Sequence, residues 1–321
     1  MMRVLYAGTP EPSALTLGIL LEASEKLDAV FQVAGVLTNP PARQARNRTP
    51  EDSPVAVLAK QTGIPCVAPE KLDGPCRDKI AALKPDLLAC FAFGKIFGPQ
   101  FMALFSLGGV NLHPSLLPKY RGAAPVQAAI LNREAVTGIT VQRLAPEMDS
   151  GDILLQREIP LSGTETAVSL LDFAAREGAR ALTEVLEAAS RAGNLPAGIP
   201  QNHAGATYCT QLRREDGRIN WAQSAPEIDA QIRAFDPWPG AFTLFMGESL
   251  KIRRASVFSL DNRNGQPLPG TVLGIDKQAG ILVQTGKGIL GVLELQRQAK
   301  KEVPWKDFIN GNRNFTGTKL G

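Results

Sequence analysis

Short apolar segments alternate with helix-like stretches through the first half of the chain, and this alternation constrains the fold more than any other feature. Apolar runs bounded by Gly or Pro predict strands over 4–7, 30–38, 86–91, 109–113, 139–144 and 153–159. Helical patterns lie between them, over 15–27, 54–61 and 124–131. Such alternation implies βαβ units and a mostly parallel sheet, in which ligands bind beyond the carboxyl ends of the strands.

The last third of the chain has a different pattern. A helix predicted over 164–192 ends at Gly193, and a segment rich in Gly and Pro follows it. A capping-box pattern at Ser224 and Glu227 opens one further helix, after which turns such as Asn264-Gly265 separate short strands over 242–245, 251–258, 271–275, 281–284 and 289–295. We therefore predict an α/β protein with an N-terminal Rossmann-like, mostly parallel sheet domain over 1–192, a linker over 193–206 and a C-terminal OB-like β-barrel domain over 207–321.

Basic residues are concentrated in this C-terminal region. Residues 1–204 carry 19 Lys and Arg against 20 Asp and Glu, whereas residues 205–321 carry 16 against 11. The formal net charge of +4 therefore arises entirely from the C-terminal region. This distribution is typical of a catalytic domain joined to a domain that binds a polyanion, although a solvated basic surface would give the same distribution.

The composition also limits location and metal chemistry. No continuous apolar stretch reaches the roughly 18 residues of a transmembrane helix. The N-terminal apolar run is too brief for a secretory signal and lacks the arginines of a transit peptide, so we expect a cytoplasmic protein. The chain has two histidines and its cysteines form no C-x-x-C pair, so we expect neither a disulfide framework nor a metal site.

Two polar residues, Asn111 and His113, lie where one predicted apolar strand ends, just before Pro114. Since side chains alternate along a strand, Asn111 and His113 point to the same face. An amide and an imidazole there could donate a hydrogen bond and exchange a proton at one reacting carbon. A lone histidine at a strand end is more often a structural residue, and we assign that role to His203.

A polar loop over 144–152 lies between two predicted strands and contains Asp149. A carboxylate there could orient the imidazole of His113 and favour its protonated form. The run Asp149-Ser150-Gly151 also has the composition of a simple turn, so spacing alone leaves the pairing of Asp149 with His113 open.

Three segments together resemble the formyl-tetrahydrofolate transferase superfamily: the pattern Asn-x-His-Pro-Ser-Leu-Leu-Pro over 111–118, then 121–125 and 149–152. Further matching segments lie over 7–11, 215–221 and 232–240, so the likeness covers nearly the whole chain. Within this superfamily the chain is most similar to the branch that formylates methionine esterified to initiator tRNA. The resemblance implies a soluble formyl-transfer enzyme with the two-domain fold predicted above.

The resemblance also implies roles for individual residues. Asn111, His113 and Asp149 would be the catalytic residues around the formyl carbon of 10-formyltetrahydrofolate, with Asn111 and protonated His113 stabilising the oxygen that becomes negative. A proton would pass through His113 or through a water held by Asp149. The residues expected to line the folate site are Lys95, Ile96, Phe97, Ser115, Leu116, Leu117, Pro118, Ala145, Pro146 and Glu147. No metal and no obligate protein partner is implied, and Gly8 opens no complete G-x-G-x-x-G fingerprint.

The expected partners are a tetrahydrofolate derivative and methionyl-initiator tRNA, whose contacts we assign to Arg43, Arg46, Arg48, Lys300 and Lys301. Residues 39–50 carry three arginines and no acidic residue, and guanidinium groups suit phosphates and stacked bases. This segment lacks the interior glycines and the lysine pair of many members, so the arginine that contributes most is undetermined. A surface loop without a binding role is the alternative.

Two other functions are compatible with the same motifs. One is a formyltransferase for an amino sugar or a formyl-tetrahydrofolate hydrolase with the same Asn111, His113 and Asp149, against which the arginine-rich segment and the basic C-terminal region argue. The other is a tRNA-binding protein with a vestigial catalytic domain, against which the complete set of three residues argues.

Overall fold

The structure, a computed structural model, describes residues 1–43, 49–260, 267–312 and 314–321. The predicted tRNA contacts Arg46 and Arg48, and the predicted turn at Asn264 and Gly265, lie outside the described residues. Over these described ranges, no helix is both long enough and apolar enough to cross a membrane.

The elements are numbered here in chain order. The helices are α1 Glu11–Ser24, α2 Pro54–Thr62, α3 Gly74–Ala82, α4 Pro99–Met102, α5 Pro125–Leu131, α6 Ala167–Ala192, α7 Ala225–Phe235 and α8 Trp305–Asn310. The strands are β1 Met2–Gly8, β2 Phe31–Leu37, β3 Cys66–Val67, β4 Leu87–Phe91, β5 Gly109–His113, β6 Arg121–Gly122, β7 Val136–Arg143, β8 Ile153–Pro160, β9 Tyr208–Cys209, β10 Phe242–Phe245, β11 Glu248–Ser259, β12 Val272–Asp276, β13 Gly280–Gln284, β14 Ile289–Arg297 and β15 Glu302–Pro304.

The chain divides into two compact units. The first comprises Met1–Gly122, Val136–Pro160 and Leu171–Tyr208, and the second comprises Ala123–Ala135, Leu161–Leu170 and Cys209–Gly321.

The first unit is built on a seven-stranded sheet in the order β3-β2-β1-β4-β5-β7-β8. The first five of these strands pair in parallel, and β7 and β8 pair antiparallel at one end. From β1 the chain proceeds to β2 on one side and later to β4 on the other, which is the strand order of Rossmann-like sheets. The predicted parallel-dominated sheet is confirmed.

Burial explains why the central strands are continuous apolar runs. All five residues of β4 are buried, as expected for a parallel strand covered on both faces. Helices α2 and α6 end within one residue of the predicted position because Gly63 and Gly193 adopt left-handed backbone angles, with φ of 71° at each. Helix α1 ends at Ser24, three residues before its predicted end. Helix α1 begins earlier than predicted because Pro10 is extended and Pro12 fits the first helical turn.

Residues 193–206, predicted as a linker, are included in the first unit. Ile199 pairs through its backbone with Ile153 of β8 in both directions, at 2.9 Å, and Gln201 is 5% exposed. The absence of hydrophobic periodicity in this segment reflects an extended chain that binds by backbone and polar side-chain contacts.

The second unit contains an antiparallel sheet in the order β10-β11-β14-β13-β12, with β15 paired to β14. The predicted strands of this region are therefore confirmed, and they form an antiparallel sheet. Strand β11 is longer than predicted, and β15 is an additional strand. Ser224 and Glu227 form the predicted capping box of α7. The hydrogen bonds from Ser224 hold the pKa of the Glu227 carboxyl below its usual range.

Three aromatic rings lie in the core of the second unit, and they lead to a stability prediction. Phe315 is 1% exposed and packs edge-on against Phe245 and Phe308, with centroid distances of 4.8 and 5.0 Å. We expect Phe315→Ala to lower the free energy of unfolding by about 3–5 kcal/mol, measured by urea denaturation. Met246→Ala, at a side chain that is 84% exposed, is the control and should change it by less than about 0.5 kcal/mol. Equal losses in the two variants would contradict this account of the core.

Candidate active site

The sheet register brings the polar residues of β5 beside those of β7. Asn111 lies opposite Gln142, and His113 lies opposite Thr140. Asn111 is partly buried, whereas the His113 side chain is almost completely enclosed, at 4% exposure. On one common face of the sheet, as alternation along β5 predicts, Asn111 and His113 thus have Gln142 and Thr140 as cross-strand neighbours.

Asp149 lies in the loop between β7 and β8 and contacts both of these β5 residues. Its Oδ1 atom accepts from Asn111 Nδ2 at 3.3 Å and from Gln142 Nε2 at 2.9 Å. Its Oδ2 atom accepts from the backbone N–H of Gly122 at 2.8 Å and lies 3.6 Å from His113 Nδ1. The structure therefore brings the three predicted catalytic residues together, with Asn111 and His113 both beside the Asp149 carboxylate.

The His113 ring is held between two acceptors. Its Nε2 atom lies 2.8 Å from the carbonyl oxygen of Tyr120, and a carbonyl can only accept, so this nitrogen carries a hydrogen. Its Nδ1 atom faces Asp149. The two ring nitrogens therefore face one carbonyl oxygen and one carboxylate oxygen.

The position of Asp149 depends on an unusual loop backbone. Asp149 has a φ of 53°, in the left-handed region that aspartate tolerates better than most residues. Two residues later, the backbone of Gly151 runs so close to β7 that a Cβ atom would lie 1.9 Å from the carbonyl oxygen of Arg143. A glycine is required at position 151 for the loop to follow this path.

Three buried residues that sequence reasoning missed surround the Asp149 loop: Arg121, Gln142 and Gln201. They are 1%, 1% and 5% exposed, respectively. Gln142 could have been found, because it lies near the end of the strand predicted over 139–144, just before the loop that carries Asp149. Arg121 and Gln201 carried no local signal, because their contacts join residues 80 positions apart.

The predicted folate loop over 115–118 is fixed by internal hydrogen bonds. The Ser115 hydroxyl, fully buried, donates to the carbonyl of Lys119 at 2.6 Å. The N–H of Leu117 donates to Thr140 Oγ1 at 3.2 Å, and Gln156 Nε2 donates to the carbonyl of Leu117 at 3.0 Å. These hydrogen bonds give the loop a defined backbone conformation.

The other predicted folate residues lie in two further segments. Lys95, Ile96 and Phe97 follow β4, whose carboxyl end is at the same sheet edge as that of its parallel neighbour β5. Phe97 stacks on Phe93 and Phe101 with centroid distances of 5.3 Å, and Lys95 Nζ donates to the carbonyl of Pro69 at 2.8 Å. Ile96 is 77% exposed. The second segment is an exposed part of the Asp149 loop, consisting of Ala145, Pro146 and Glu147.

Cys90 lies beside Asn111 in the sheet and could be mistaken for a nucleophile. Burial raises the pKa of the Cys90 thiol to about 12. The thiolate, which is the reactive form, is therefore nearly absent at neutral pH, and Cys90 acts as a small core residue.

The described basic residues with a predicted tRNA contact are all exposed. Arg43 lies in the first unit, and Lys300 and Lys301 lie in the turn that connects β14 to β15 in the second. Gln296 Nε2 donates to the carbonyl of Lys300 at 2.9 Å and so fixes this turn.

The sequence matches two family descriptions that together cover most of the chain. Residues 2–186 match the formyl transferase family, and residues 211–313 match the formyl transferase C-terminal domain. The chain belongs to the formyltransferase family. The membership that the motifs predicted is thus confirmed, and as a formyltransferase the chain is an enzyme.

Named relatives of this formyltransferase extend over its full length. Methionyl-tRNA formyltransferase of Treponema denticola is 46% identical over 324 residues, which cover 98% of each chain. The solved structure of methionyl-tRNA formyltransferase from Clostridium thermocellum matches 90% of this chain and 100% of its own, with a TM-score of 0.57 and 16% identity. HypX from Aquifex aeolicus, in complex with tetrahydrofolic acid, matches 98% of this chain with a TM-score of 0.59 and 16% identity, and this chain spans about half of HypX (48%). At these low identities the two structures support the fold.

Proposed function

We propose that this formyltransferase moves the formyl group of 10-formyltetrahydrofolate to the α-amine of methionine esterified to initiator tRNA. The observation that carries the proposal is the contact of Asn111 and His113 with the Asp149 carboxylate, in a chain 46% identical over its length to a methionyl-tRNA formyltransferase. Asn111 fits a formyl oxygen, because its amide nitrogen has a second hydrogen besides the one directed at Asp149, and the residue is only partly buried.

The chemistry requires one bond to form, one to break and one proton to move. The amine nitrogen forms a bond to the formyl carbon, and the carbonyl electron pair moves to the oxygen. Asn111 and a protonated His113 supply the hydrogen bond and the positive charge that stabilise this oxygen. When the bond to the folate nitrogen breaks, that nitrogen keeps the electron pair and gains a proton, while the amine loses one.

The contacts of Asp149 suggest how the proton moves. A carboxylate has about four acceptor positions, and Gly122, Gln142, Asn111 and His113 each face one of them. The contacts to Asn111 and His113 are the longest, at 3.3 and 3.6 Å. The proton therefore moves through His113 or through a water held at the Asp149 carboxylate, the two routes that these longer contacts allow.

Formyl transfer from a labelled donor tests this function. We expect label from 10-formyltetrahydrofolate to appear on methionyl-initiator tRNA and not on a panel of amino sugars, and release of free formate to be slow by comparison. Label on the sugars alone would show that the acceptor is an amino sugar and not methionyl-tRNA. Rapid release of formate without transfer would show that the chain is a formyl-tetrahydrofolate hydrolase. No turnover with any acceptor would favour a vestigial catalytic site.

The basic residues predict a salt-dependent affinity for tRNA. We expect Arg43, Arg46 and Arg48, changed together to Ala, to weaken tRNA binding and to reduce the slope of log K against log salt by up to about 2–3. The matched control changes Arg176, Arg180 and Arg191, three arginines on the exposed face of α6, and should leave the slope unchanged. An unchanged slope in the first variant would exclude the segment as a phosphate contact. The double change Lys300→Ala and Lys301→Ala tests the β14–β15 turn in the same assay.

A further inference from the structure

A buried cation lies next to the Asp149 loop and determines how a glutamine is oriented. Arg121 is 1% exposed, and its Nε and Nη2 atoms donate to Gln201 Oε1 at 3.1 and 2.6 Å. A guanidinium group has only donors, so the oxygen end of the Gln201 amide must face Arg121. The nitrogen end of Gln201 must then point the other way.

The nitrogen end of Gln201 holds the backbone around Asp149. Gln201 Nε2 donates to the carbonyl oxygens of Asp149, at 2.9 Å, and Gly151, at 2.7 Å. These two carbonyls flank the residue that follows Asp149, so a single amide group fixes both sides of this turn. Because carbonyls only accept, this contact requires the same orientation of Gln201 as Arg121 does.

The orientation of the Gln201 amide also determines that of the Gln142 amide, which contacts the Asp149 side chain. Gln201 Nε2 lies 3.2 Å from Gln142 Oε1, so the oxygen of the Gln142 amide faces Gln201. Gln142 Nε2 then points at Asp149 Oδ1, at 2.9 Å. Reversing the Gln142 amide would set its oxygen against the Asp149 carboxylate, and reversing the Gln201 amide would set its oxygen against the carbonyls of Asp149 and Gly151.

We propose that Gln201, oriented by Arg121, is a positioning residue for formyl transfer. It holds the Asp149 loop by two carbonyls and turns the Gln142 amide so that a donor faces the Asp149 carboxylate. This inference rests on the proposed function, in which Asp149 acts at the reacting carbon. Its physical basis is that a shift of about 1 Å in a reacting group can lower a rate about a hundredfold.

The variant Gln201→Glu replaces the Nε2 donor of this residue with a carboxylate oxygen. A glutamate has the same size and keeps an oxygen for Arg121, but a carboxylate cannot donate to the carbonyls of Asp149 and Gly151 or to Gln142. We expect kcat to fall at least about tenfold, with the KM values for folate and tRNA within about twofold of the wild type.

The second unit offers a matched control in Gln231. This glutamine is 8% exposed, and its Nε2 atom donates to the carbonyls of Asp216 and Arg218 at 3.0 and 3.2 Å. Gln231→Glu removes the same kind of buried backbone contact away from Asp149. We expect its kcat to stay within about twofold of the wild type, even where its melting temperature falls as far as that of Gln201→Glu.

A second readout separates this inference from the proposed function. The ¹³C carboxyl resonance of Asp149 is assigned by its loss in Asp149→Asn, and we expect Gln201→Glu to move it and Gln231→Glu to leave it in place. If the wild type transfers no formyl group to methionyl-tRNA, the proposed function fails. The ¹³C resonance of Asp149 then remains as the test of whether Gln201 positions that residue. An unmoved resonance, a wild-type kcat in Gln201→Glu, or an equal kcat loss in both variants would overturn the positioning role.

Discussion

Replacing His113 with alanine is expected to lower the turnover of formyl transfer at least about a hundredfold, because the change removes the positive charge that stabilises the negative oxygen. The imidazole is enclosed at 4% exposure between the carbonyl of Tyr120 and the Asp149 carboxylate, so no other cation takes its place without a rearrangement of the loop. Single-turnover measurement with bound folate isolates the chemical step. Folate affinity, measured by fluorescence titration, should change little.

The other histidine of the chain supplies the control. His203 is exposed and lies 3.3 Å from Arg121 Nη2 through its Nδ1 atom. We expect His203→Ala to retain turnover within about threefold, because exposed contacts contribute little. Turnover near that of the wild type in His113→Ala, or the same loss in both variants, would exclude the assigned role of His113.

Substituting Gly151 with alanine should be almost as damaging, although position 151 touches no substrate in the proposed mechanism. The added Cβ would lie 1.9 Å from the carbonyl oxygen of Arg143, where an ordinary contact needs at least 3.4 Å. The loop must shift by more than about 1 Å, and a displacement of that size in Asp149 predicts a loss of about a hundredfold in kcat.

Gly74 is the matched control for this steric argument. At the start of α3, a Cβ atom added to Gly74 would lie 4.0 Å from Nη2 of Arg77, which is an ordinary contact distance. Gly74→Ala should therefore keep full activity and lose no stability, since alanine favours a helix over glycine. Full activity in Gly151→Ala would mean that the loop path does not determine the position of Asp149.

The sequence predicts local features of this site well, because local features follow from spacing. The strand over 109–113 is β5 as predicted, and the period of two along a strand is sufficient to place Asn111 and His113 together. Asp149 is different, because its left-handed backbone and its contacts with β5 depend on residues 38 positions away. Only the family motif joined Asp149 to the other two residues.

Arg121 and Gln201 could not be predicted by the usual rules. An arginine in a loop with glycine and proline nearby is expected on the surface, yet Arg121 is among the most buried side chains described. Gln201 lies in a segment whose composition predicts a linker, and its role arises from contacts with residues 50 to 80 positions earlier in the chain. Long-range polar contacts leave no periodicity for a sequence pattern to reveal.

The side-chain and backbone donors that we find on the Asp149 carboxylate all come from one of the two units. Gly122, Gln142, Asn111 and His113 belong to the first unit, as do Arg121 and Gln201. The basic excess of the chain lies instead entirely beyond residue 204. We therefore expect exchange of the second unit for a homologous one to leave every donor that we find on the Asp149 carboxylate in place.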